Sequence, residues 1–121
     1  MLSLPVSVRI FLCTQPADMR RSFDGLAQMV REFLRADPLC GHLFVFRSKR
    51  GDRVKLLYWD SDGLAIWYKR LEEGTFRFPQ ASAEGHGIEI RAAELAMLLD
   101  GVDLDSVQRR RRYRRPAGST Q

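Results

Sequence analysis

The strongest constraint on the fold lies between His42 and Pro79, where short apolar, aromatic runs alternate with turn signals. Leu43-Phe44-Val45-Phe46 is aromatic and β-branched, which favours a strand over a helix. Ser48-Lys49-Arg50-Gly51-Asp52 follows at once, with a glycine able to take positive φ. Val54 to Trp59 resumes the apolar run, so the two segments read as a β-hairpin. Asp60-Ser61-Asp62-Gly63 is a second turn, Leu64 to Leu71 a third strand and Glu73-Gly74 a third turn. Thr75 to Phe78 reads as a short strand stopped by Pro79, completing an antiparallel meander.

On the N-terminal side, Val6, Val8, Ile10 and Leu12 alternate with Ser7, Arg9 and Phe11, predicting a half-buried strand from Pro5 to Cys13. Asp18 is then the expected helix N-cap. Met19, Phe23, Leu26, Ala27, Val30, Phe33 and Leu34 recur at helical spacing, giving an amphipathic helix of about four turns that stops at Asp37-Pro38. Residues 80–87 read as a surface loop, Gly87 to Ile90 as one more short strand, and Ala92 to Asp100 as a helix with Leu95, Leu98 and Leu99 inward and Gly101 at its stop. The expected fold class is α+β: an antiparallel β-meander of about five to six strands packed against one long amphipathic helix, with a short C-terminal helix.

At 121 residues the chain has length for one domain, and its 45% hydrophobic and 29% charged residues argue against wholesale disorder. No apolar run is long enough for a membrane span, so no membrane partner is expected. The two cysteines, Cys13 and Cys40, fit a cytoplasmic protein better than a disulfide scaffold. The net charge of +5 is unevenly placed. Arg109, Arg110, Arg111, Arg112, Arg114 and Arg115 hold six of the 20 basic residues, and without them 14 bases face 15 acids. Residues 1–108 are thus expected to form a single domain, and residues 109–121 a basic, disordered tail.

Arg47, Lys49, Arg50, Arg53 and Lys55 face only Asp52 within the first hairpin, a local net charge of +4. A cationic two-stranded prong suits phosphate contact and the width of a DNA major groove, although turns also collect charge simply because they are solvated. The aromatic pairs Tyr58-Trp59 and Trp67-Tyr68 could stack on bases, but alternation along a strand makes packing the stronger reading. Asp60 and Asp62 resemble a paired-carboxylate metal site only superficially, because aspartates beside glycine are ordinary turn residues. His42 and His86 show no zinc spacing with the cysteines, and no phosphate loop or nucleophile elbow is present. No metal, cofactor or catalytic role is therefore expected.

Several blocks resemble a known family, the accessory proteins encoded by the second open reading frame of the insertion-sequence family numbered sixty-six, often called TnpB. They are Asp18 to Leu26, His42 to Arg47, Arg50 to Lys55, Trp59 to Leu64, Trp67 to Leu71 and Glu94 to Asp103, in unbroken order. The resemblance implies a noncatalytic part in DNA transposition beside a separate transposase, which supplies the catalytic acids. Combined with the charge pattern, it points to DNA as a partner through Arg47, Lys49, Arg50, Arg53 and Lys55. Arg20 and Arg21 are added because a helix start attracts phosphate. The competing expectation is an adaptor that binds the transposase with little DNA contact of its own.

Overall fold

The computed structural model of the protein describes residues 7–79 and 85–101. The expected tail at 109–121 and most of the expected loop at 80–87 lie outside the described residues. Five strands form one sheet: β1 (Ile10–Cys13), β2 (Leu43–Arg47), β3 (Arg53–Asp60), β4 (Gly63–Arg70) and β5 (Gly87–Ile90), in the order β4-β3-β2-β1-β5. Among the described residues two short helices accompany the sheet, α1 (Phe23–Phe33) and α2 (Ala92–Leu99).

This corrects the expected meander under one long helix. The sheet is mixed, because β1 pairs parallel with β2 (Ile10 with Leu43, Phe11 with Phe44) while its other neighbours are antiparallel. Strands joined through an intervening helix can lie parallel, and α1 is that connection. Thr75 to Phe78 is not a strand. Its single ladder-like bond runs from Phe76 N–H to Gly51 C=O at 2.8 Å, and the Phe76 ring plugs the core.

Both faces of the sheet are covered. On one, Ile10, Leu12, Leu43, Val45, Val54, Leu56 and Ile90 meet Leu95, Leu98 and Leu99 of α2. On the other, Cys13, Phe44, Phe46 and Leu57 meet Leu26, Ala27, Met29 and Val30 of α1. Leu43, Phe44, Val45 and Phe46 are all fully buried, as a central strand between two helices requires. Burying each such side chain contributes about 1.5–3 kcal/mol relative to exposing it.

The first helix is shorter than expected because its start is occupied by other bonds. Asp18 does not cap it. The Asp18 carboxylate accepts instead from the Arg20 backbone N–H at 2.9 Å and from the Arg20 guanidinium. Lys55 Nζ donates to the carbonyls of Met19 and Arg21, so the chain turns through this segment and becomes helical only at Phe23. At the other end Arg35 takes φ 52° and Ala36 N–H returns to Val30 C=O, closing α1 before Asp37-Pro38.

Candidate nucleic-acid interface

The β2–β3 turn, residues 48–52, is built around one buried hydroxyl. Ser48 Oγ accepts from the N–H groups of Gly51 and Arg53 and donates to Asp52 Oδ1. Gly51 sits at φ 82°, with Thr75 Cβ 3.6 Å from where its own Cβ would stand. Folded in this way, the turn leaves Lys49 and Arg50 exposed, and neither forms an ion pair among the described residues.

The tip stands as a ridge between two open grooves. One is lined by Ala17, Asp18, Met19, Arg20 and by Ser48, Lys49, Arg50, Asp52 and Arg53. The other is lined by Arg47, Lys49, Arg50, Gly51, Thr75, Phe76, Phe78 and Pro79. The segment before α1 is held against the hairpin by Ala17 N–H donating to Arg47 C=O at 2.9 Å. The fold thus brings Arg20 beside Lys49, Arg50 and Arg53. Four cations face two carboxylates in that first groove, so its balance is positive.

The seven basic residues singled out from the sequence divide into two kinds. Lys49, Arg50, Arg20 and Arg21 are exposed, and Arg53 is half-buried with its guanidinium on the Tyr68 hydroxyl at 3.4 Å. Arg47 and Lys55 are tied into the fold. Arg47 donates to Thr14 C=O and lies 5.9 Å from the Phe78 ring centre. Lys55 is only 7% exposed, and its ammonium sits 4.6 Å from the Tyr68 ring centre as well as on the two carbonyls before α1.

Arg20 is also restrained, since its guanidinium grips Asp18 at 2.7 Å. The hydrogen bond from that guanidinium, followed by the one from the Arg20 backbone N–H, holds the Asp18 carboxyl at about 2 against an ordinary 3.8. Arg21 donates to Gly25 C=O at 3.1 Å.

Arg70 is an addition that the reading by sequence run missed. It pairs in register with Arg53, on the same face of the sheet, and carries Glu72 at 3.1 Å. The signal was present in the two-residue Ser61-Asp62 turn, which sets Asp60 opposite Gly63 and so Arg53 opposite Arg70.

Asp60, the last residue of β3, and Asp62, in the turn, flank the positive-φ residue Ser61, and both are exposed. Among the described residues no three of His, Cys, Asp and Glu converge as metal ligands would. Among the same residues no helix is long and apolar enough to cross a membrane.

A family described as IS66 Orf2 like protein matches residues 8–109, which cover every described strand and helix. The chain belongs to the IS66 Orf2-like family. It is similar to two uncharacterized proteins of Sinorhizobium fredii. One, y4jC, is 41% identical over 103 residues, covering 85% of this chain and 86% of the relative. The other, y4hO, is 43% identical over 103 residues, covering 85% and 88%. No solved structure matches the chain. Membership in the IS66 Orf2-like family supports a transposition-associated accessory role.

Proposed function

We propose that this protein is a noncatalytic accessory factor of transposition that binds DNA through the ridge formed by Lys49 and Arg50. Arg53, Arg20, Arg21 and Arg70 flank that ridge. The observation that carries the reading is the pair of exposed cations, without an ion-pair partner among the described residues, at the tip of a turn whose own backbone is rigidly bonded. A rigid tip loses little conformational freedom on contact, and each phosphate it neutralises releases a condensed counterion. Arg47 and Lys55 act indirectly, by fixing the two segments that carry the exposed cations.

A second reading, the adaptor that binds the transposase of the same element, is favoured by a different observation. Arg20, Arg70 and Arg9 each already hold a carboxylate, on Asp18, Glu72 and Glu89. This reduces the charge available to phosphates.

Co-purification of the transposase with the full-length protein from nuclease-treated extract, beside fluorescence anisotropy of the protein alone on duplex DNA, separates the two. The DNA-binding reading expects anisotropy to rise with the protein alone and to weaken with salt. Retained transposase with no anisotropy change favours the adaptor.

A further inference from the structure

β4 is one edge of the sheet, and among the described residues no strand pairs with its outer side. Open strand edges present unmet N–H and C=O groups, and proteins usually blunt them with short length, charged side chains, proline or a bulge. The opposite edge, β5, follows that rule with four residues. β4 has eight, contains no proline, carries charge only in its last two residues, Lys69 and Arg70, and stays in unbroken register with β3 from Gly63 to Arg70. Because the two-residue turn closes on the Asp60 and Gly63 pair, alternate bonding turns the backbone groups of Leu64, Ile66, Tyr68 and Arg70 outward.

The strand is complementary to itself when reversed. Its entry is acidic, with Asp62 just before it, and its exit is basic, with Lys69 and Arg70. Leu64 and Ile66 are half-buried on the α1 face, and Tyr68, 46% exposed, continues their row toward solvent.

We propose that two copies of this chain pair antiparallel through β4, about a two-fold axis at Ile66. In that register Ile66 meets its own copy, Tyr68 covers Leu64, and Trp67 lies across from the small Ala65. Arg70 lies across from Asp62. The contact is isologous, so every pairing occurs twice, and the two sheets become one. The Arg70 to Glu72 pair is exposed on both sides and is released at little cost.

Resting on the DNA reading above, the dimer also places the two Arg53 positions about 30 Å apart on one face. That is close to the roughly 34 Å repeat of duplex DNA.

Sedimentation equilibrium of the full chain without DNA tests the pairing. The expected mass is twice the 14.0 kDa of one chain at high concentration. Arg70→Glu and Asp62→Arg should each weaken the dimer roughly tenfold, through two repulsive pairs, and the double reversal should restore it. Ile66→Pro should abolish it while circular dichroism stays native, because the lost N–H points away from β3. A single-chain mass at every concentration overturns the proposal, as does a dimer indifferent to both single reversals. Since no DNA is present, these outcomes are independent of whether the ridge binds phosphate.

Discussion

Lys55 Nζ donates to the backbone carbonyl of Arg21 at 2.7 Å, and so ties the middle of β3 to the residue just before α1 begins. The same ammonium takes Met19 C=O at 2.9 Å. A strand lysine that resembles a DNA contact in sequence is therefore a clasp. Lys55→Met keeps the length of the side chain but deletes the donor, leaving two carbonyls without their partner. Urea unfolding should show a loss of about 1–3 kcal/mol. Lys49→Ala, at an exposed tip, should change stability by no more than about 0.5 kcal/mol. Equal effects from the two substitutions would contradict the division between clasp and ridge.

Asp18 restrains Arg20, and that restraint is itself testable. Asp18→Asn removes the carboxylate and frees the guanidinium, so duplex binding should tighten and its salt slope should steepen by about 0.9. Titration supplies an independent check. The folded carboxyl titrates at about 2, below its ordinary 3.8, so the pair's contribution is present above 3.8 and is lost as pH falls through about 2. A carboxyl carbon shift that follows pH with a midpoint near 3.8 would show that the pair does not persist in solution.

The two cysteines should react at very different rates. Cys13, on β1, is fully buried against α1, and burial pushes its thiol pKa up, against the smaller opposing effects of a Gln15 backbone hydrogen bond and the Arg47 charge. Cys40 is exposed. A chromogenic disulfide reagent at neutral pH should titrate one thiol per chain quickly and the second only after denaturant is added. Two fast thiols would mean that the α1 face opens readily.

Much of the hairpin region was legible because glycine and aspartate turns punctuate β-branched and aromatic runs. The burial of Lys55 shows by face and not by charge along the sequence. With a period of two it shares a side with Leu57, and that side is the one α1 covers. The two-sided burial of β2 was also written in four successive apolar residues, which one covering helix cannot explain. The parallel pairing of β1 with β2 was not legible from local pattern, because it depends on where α1 carries the chain. Helix length was overread because Met19 continues the apolar spacing while its carbonyl is committed to Lys55.

If the rigid Lys49 and Arg50 tip contacts DNA, the salt dependence of duplex binding should report it. Anisotropy titrations of the full chain at several salt concentrations would be compared with those of the Lys49→Ala, Arg50→Ala double variant, with unfolding midpoints measured for both. The variant should show a slope shallower by about 1.8, weaker binding at low salt, and an unchanged midpoint. Identical affinity and slope in the two proteins would contradict that contact.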